Sequence, residues 1–214
     1  MRNNQVMMHA VCGLALLLPG MASAAIAYDE TVSGDFVSAI LEPSGVSPGT
    51  FAGVMTAGVN TITGTFGNSA AAGRDTDVFS FEIPAGQQLT AIDLTYAVVS
   101  GDPVNGSYFG IQDGLAIGTS LETVGSNLSN ALVMENGDLL SEFDRGPEFG
   151  GTGLTAPLGP GNYTMFMSGL DAVVDYRMDF NVSAIPEPET YAMLLAGLGL
   201  LGAMARRKKT SPAK

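Results

Sequence analysis

Every second residue is apolar in the runs that dominate the middle of this chain, and each run stops at a turn. Residues 77–84 read D-V-F-S-F-E-I-P, with Phe79, Phe81 and Ile83 on one side and Val78, Ser80 and Glu82 on the other. A period of two puts alternate side chains on opposite faces of a pleated strand, so this segment is expected to bury one face. Pro84, Ala85, Gly86 and Gln87 come next as a turn, because proline presets φ and glycine accepts a positive one. In residues 89–99, Leu89, Ala91, Asp93, Thr95 and Ala97 face one side, and Ile92, Leu94, Tyr96 and Val98 the other. A second turn, Leu158-Gly159-Pro160-Gly161-Asn162, leads into Tyr163, Met165 and Met167, which oppose Thr164 and Phe166. In the last strand Tyr176, Met178, Phe180 and Val182 alternate with Arg177, Asp179 and Asn181. No stretch between the two termini shows a helical period. The pattern predicts an all-β domain built from two packed sheets.

Both ends of the chain read as addresses. Arg2, an apolar core over residues 10–18 and the small residues Ala22, Ser23 and Ala24 describe a signal peptide at 1–24, cut after Ala24. Cys12 lies inside that apolar core, so it is not a lipidation site. At the other end, Ile185-Pro186-Glu187-Pro188-Glu189 precedes an apolar run, 190–205, and the basic cluster Arg206, Arg207, Lys208 and Lys209. Each proline lacks an N–H and restricts its predecessor, so residues 185–189 are expected to be extended. The apolar run makes a helix of about 24 Å, short for a hydrocarbon core of about 30 Å unless basic side chains snorkel or the bilayer thins. The basic cluster predicts a cytoplasmic C-terminus. Gly197, Gly199 and Gly202 spell a dinucleotide-binding pattern, but no strand precedes it and the chain ends before the acidic partner.

This tail resembles the PEP-CTERM sorting signal, also called the ice-binding protein C-terminal domain, of bacterial surface and exopolysaccharide-associated proteins. The resemblance implies that exosortase, a membrane protease, recognises Pro186, Glu187 and Pro188 and removes the apolar run and basic cluster beyond them. It further implies a transient single-pass inner-membrane intermediate, then release to the cell surface or matrix.

The body between the addresses, residues 25–184, excludes much chemistry. The chain's one cysteine and one histidine, Cys12 and His9, leave with the signal peptide. No Ser-His-Asp triad, thiol nucleophile, ordinary zinc site or disulfide is then available. Arg74, Arg145 and Arg177 are the body's only basic residues, while all but two of the 21 carboxylates lie there. Such a surface repels nucleic acid, stays soluble and attracts divalent cations.

The segment Asp75-Thr76-Asp77-Val78-Phe79-Ser80-Phe81-Glu82-Ile83-Pro84-Ala85-Gly86-Gln87, with Gly159-Pro160-Gly161-Asn162-Tyr163-Thr164 and the closing strand, resembles bacterial pre-peptidase C-terminal-type domains. It implies a jelly-roll β-sandwich used as an accessory or binding module, sometimes with calcium near this strand. Asp75 and Asp77, at i and i+2, point to one side of a strand and are the candidate metal ligands. Calcium takes six to eight oxygens, so Asp93, Asp171, Asp175 or backbone carbonyls would complete the shell. The competing reading has both aspartates capping a turn in water. Thr61, Thr63 and Thr65 form one threonine row, whereas an ice-binding surface needs many. The Gly-rich loop 146–153 has neither lysine nor helix after it to make a phosphate cradle.

The expected protein is therefore a single jelly-roll-like β-sandwich between an N-terminal signal peptide and a C-terminal transmembrane helix. It is expected to be non-catalytic, sorted by exosortase into exopolysaccharide or biofilm matrix, and to require no cofactor. The alternatives are a calcium-dependent or glycan-binding module and a carboxylate hydrolase. The last lacks tryptophan for sugar stacking.

Overall fold

The computed structural model describes residues 25–38, 46–48, 50–69, 73–102, 106–118, 127–133, 135–148, 150–169, 171–186 and 188–209. The expected signal peptide, with Ala22 and Ala24, lies outside them. In chain order the elements are β1 (Ala25–Asp29), α1 (Glu30–Ser33), β2 (Val37–Ser38), β3 (Val46–Pro48), β4 (Thr50–Val54), β5 (Gly58–Ser69) and β6 (Gly73–Ile83). Then come β7 (Gln87–Gly101), β8 (Ser107–Asp113), β9 (Ala116–Gly118), β10 (Asn127–Val133) and β11 (Gly137–Asp138). The chain closes with α2 (Leu139–Asp144), β12 (Gly161–Gly169), β13 (Ala172–Ala184) and α3 (Pro188–Lys209).

The protein is mostly β. One curled, largely antiparallel sheet runs β10-β8-β12-β6-β5-β13-β7-β11, with β1 beside β5 and β2 and β4 beside β6. β3 and β9 form a separate pair. The curl turns one half of the sheet onto the other around a single core. Phe66 of β5 meets Phe109 of β8 edge-on at 5.6 Å, and Phe180 of β13 meets Phe79 and Phe81 of β6 at 6.3 and 5.1 Å. Such aromatic pairs add about 0.5–1.5 kcal/mol each beyond the area they bury.

The alternation holds on β13, where Tyr176, Met178, Phe180 and Val182 are all buried. It fails in three places. On β7 the register skips between Asn181–Ala91 and Val182–Leu89, leaving Thr90 as an extra residue. That bulge swings Leu89 to the core side with Ile92, Leu94 and Tyr96. On β6 and β12 the second face is not solvated. Val78, Tyr108 and Phe166 form a small apolar cluster of their own, with Tyr108 and Phe166 at 5.7 Å. Gly110 makes room for it, since a Cβ there would press on the Tyr108 ring. Finally, α2 interrupts the β pattern. Asp138 caps it, one oxygen accepting from both Leu140 N (3.0 Å) and Ile92 N (2.9 Å), which pins the helix to β7. Leu139, Leu140 and Phe143 are buried beneath it.

β5 and β6 create the fork that positions the candidate site. They pair over only three residues, from Gly67–Asp75 to Ser69–Gly73, and then separate. Beyond the fork β1 takes the free edge of β5, from Asn60 to Thr63. β2 and then β4 take the free edge of β6. Residues 30–36 cross between β1 and β2 at the mouth of the fork.

Candidate functional site

Three carboxylates meet at that mouth. Asp77 continues the inward phase of Phe79, Phe81 and Ile83, so its side chain enters the space between the sheet halves, where it is fully buried. Neither of its oxygens has a hydrogen-bond partner among the described residues. Glu30 opens α1, whose cap is Asp29 accepting from Thr31 N at 2.9 Å. The Glu30 carboxylate accepts from Phe36 N (3.2 Å) and Thr65 N (2.8 Å), bridging its own segment to β5. It fits because residue 64 is glycine: a Cβ there would strike the Glu30 carboxylate and the Tyr176 hydroxyl. Asp35 is the third member and is exposed. One oxygen from each of Glu30, Asp35 and Asp77 lies within 4.8 Å of the others. Phe36 anchors the crossing segment, stacked between Tyr28 (4.2 Å) and Phe79 (4.9 Å).

The electrostatics come from burial and like charge. Burial first, then the charges of Glu30 and Asp75, push Asp77 up to about 9. Burial raises Glu30 to about 6, although the Thr65 and Phe36 amides pull the other way. The Tyr176 hydroxyl is raised by burial and then by Asp77 and Glu30. It faces Asp77 outside hydrogen-bond geometry and has no other partner among the described residues. Arg145 pairs with Glu142 at 2.7 Å and Arg177 with Asp179 at 2.8 Å, both away from the fork. The fork thus gathers hard oxygen donors without a described basic side chain among them, a donor set that suits calcium. Three carboxylates leave room for backbone or water oxygens to complete six or more ligands.

Of the candidate ligands read from sequence, Asp77 lies at the centre of this group. Asp75, half-buried on β6, is close enough to raise both Asp77 and Glu30. The others are elsewhere. Asp93 accepts from Asn181 Nδ2 at 2.7 Å and Asp175 from Thr65 Oγ1 at 2.8 Å, both on the outer face of the sheet. Asp171 is exposed beside the start of β13. The carboxylates that meet Asp77 in the fold, Glu30 and Asp35, are more than 40 positions upstream, and no spacing rule links them to it. One signal was present: the parity of β6 directs Asp77 inward, not to water.

The tail begins where the sheet ends. β13 pairs with β7 up to Ala184–Gln87, and Ile185 N donates to Gly86 O at 2.7 Å. Pro186 is exposed, Glu187 lies outside the described residues, and Pro188 opens α3. The expected extended stretch therefore stops before Pro188. Proline is tolerated at the first helical position because no intrahelical partner awaits its missing N–H. Arg206, Arg207 and Lys208 belong to the last turns of this 22-residue helix. Met193, Leu194, Leu195, Leu198, Leu200 and Leu201 are exposed along it. Among the described residues no helix is long and apolar enough to cross a membrane. The uninterrupted apolar run is shorter than α3, whose two ends are charged.

Residues 184–209 match the PEP-CTERM protein-sorting motif. The motif implies sorting by exosortase to the cell surface, by way of a membrane-anchored intermediate. No curated protein and no solved structure matches the chain, so the resemblance of the body to pre-peptidase C-terminal-type domains rests on its motifs alone.

Proposed function

We propose that this is a non-catalytic surface protein, a jelly-roll-like module that exosortase releases from its tail and that exopolysaccharide or biofilm matrix retains. The observation that carries the reading is the junction between body and tail. The sheet is complete at Ala184 and α3 starts at Pro188, so a cut within residues 186–188 removes the helix and breaks no ladder hydrogen bond. The apolar residues that α3 exposes suit a segment embedded in lipid before removal. Replacing Pro186, Glu187 and Pro188 together by alanine should leave export intact and hold the full-length chain in the membrane fraction. Release of that variant at the normal level, with a normal intact mass, would overturn the sorting reading.

A second reading, a calcium-dependent module, is favoured by Asp77. Holding a buried carboxylate ionised without a partner costs several kcal/mol, so Asp77 keeps its proton up to about 9 unless a cation takes the proton's place. Calcium bound by Glu30, Asp35 and Asp77 would do so. Titration with calcium should raise the melting temperature of the protein more than ionic-strength-matched sodium chloride does. Equal effects of the two salts would remove this reading and leave the acidic surface a solubility feature.

A further inference from the structure

We infer that residues 25–38 form a clasp across the fork, and that holding a divalent cation and docking this clasp are one event. The inference rests on the calcium reading above and adds that the cation governs a movable part of the fold. The ligands are divided between two bodies. Glu30 and Asp35 belong to the crossing segment, whereas Asp77 belongs to β6 in the permanent sheet.

The segment is held by few strand bonds. Among the described residues β1 pairs with β5, and β2 contributes two register pairs to β6. Phe36 supplies the main apolar anchor, 2% exposed against Phe79. Docking brings one oxygen each of Glu30 and Asp35 within 4.8 Å of Asp77. Ionised carboxylates at such distances repel, and low dielectric strengthens the repulsion. A cation between the two bodies converts that repulsion into attraction. Without it, the free energy that docks Phe36 works against the gathered carboxylates. The Gly64 site points the same way: the absence of a Cβ there leaves space beside the Tyr176 hydroxyl that the Glu30 carboxylate occupies. Undocking would uncover the edge of β5 from Asn60 to Thr63 and one face of Phe79.

Hydrogen exchange on the full chain, read by mass spectrometry, tests the coupling. The conditions are calcium chloride, chelator, and chelator with matched sodium chloride. In both chelator conditions, amides of residues 26–38 and 60–63 should exchange about tenfold faster or more, while those of 163–167 stay unchanged. Asp77→Asn should remove the calcium dependence. Asp35→Asn, at an exposed position that should not disturb folding, should weaken it. Terbium luminescence, with calcium as competitor, reports on binding itself. Terbium binding without any change in exchange at 26–38 would overturn the clasp and leave the calcium reading standing. Absence of terbium binding would overturn both.

Discussion

One space between the sheet halves holds two very different interiors. Over most of its length it is lined by Phe66, Phe79, Phe81, Phe109 and Phe180, all fully buried and touching across the sheets. At the fork the same strands deliver Asp77 and Tyr176 instead, joined by Glu30 from the crossing segment. On β6 the two interiors are neighbours, since Asp77 stands one pleat before Phe79. Alternation decides which residues go inside, but it does not decide whether they are welcome there. The aromatic region stabilises the fold through what it hides. The fork carries a cost that a cation can relieve, and sites that break the local rules are where function is expected.

The aromatic interior should give the largest effect. Phe79 touches Phe36, Phe81 and Phe180, so it belongs to both the core and the anchor of the crossing segment. Phe79→Ala should cost about 3–5 kcal/mol in urea denaturation, whether or not calcium is present. A loss under about 1 kcal/mol would mean that the two interiors do not differ in the way described.

The fork should respond to conditions, with a smaller effect. Calcium at a hundredfold excess over its dissociation constant should stabilise the protein by about 2.7 kcal/mol. In chelator the pH dependence has a definite sign. Asp77 rises from 3.8 to about 9 on folding and Glu30 from 4.5 to about 6, so the folded state binds these protons more tightly. That stability is fully present below pH 3.8, and Asp77 loses its part as pH climbs to about 9. The urea midpoint in chelator should therefore be higher at pH 5 than at pH 8. Calcium should close that gap, because it favours the ionised carboxylates. Asp77→Asn should flatten most of the chelator profile. A chelated wild-type protein equally stable at both pH values would show that the fork is not strained by charge.

The two interiors also differ in how legible they are. The aromatic core is set by parity along single strands, so Phe79, Phe81, Phe180 and the inward half of β7 were readable. Leu89 was not, because a bulge at Thr90 is a property of the pairing between β7 and β13 rather than of either strand. α2 was missed because six residues are too few for a period to emerge, although Asp138 ahead of Leu139, Leu140 and Phe143 has the form of a capped apolar turn. In the fork the inward placement of Asp77 was legible from the parity of β6, with Asp75 on the same side. Glu30 and Asp35 reach it because β5 and β6 part after three pairs, and nothing in their own sequence announces that separation. The sorting tail was the most legible part, because a signal read by a membrane enzyme must be carried by contiguous residues.

The smallest effect should come from the carboxylates that face away from both interiors. Asp179 on β13 lies beside Asp93 of β7 and Thr61 of β5, and it accepts from Thr61 Oγ1 at 2.6 Å and Arg177 Nε at 3.0 Å. It therefore has what Asp77 lacks among the described residues, a basic partner, while sitting partly in water. Because that pair is solvated, the attraction is offset by lost side-chain freedom and screened by salt. Arg177→Ala should change stability by less than about 1 kcal/mol, and less still as sodium chloride is raised. The thermal response to calcium should be unaltered, since Arg177 points away from the fork. A loss as large as that of Phe79→Ala, or a lost calcium response, would mean that the outer face is coupled to the interior. The contrast between a carboxylate satisfied by its own sheet and a buried one beside other carboxylates would then have to be abandoned.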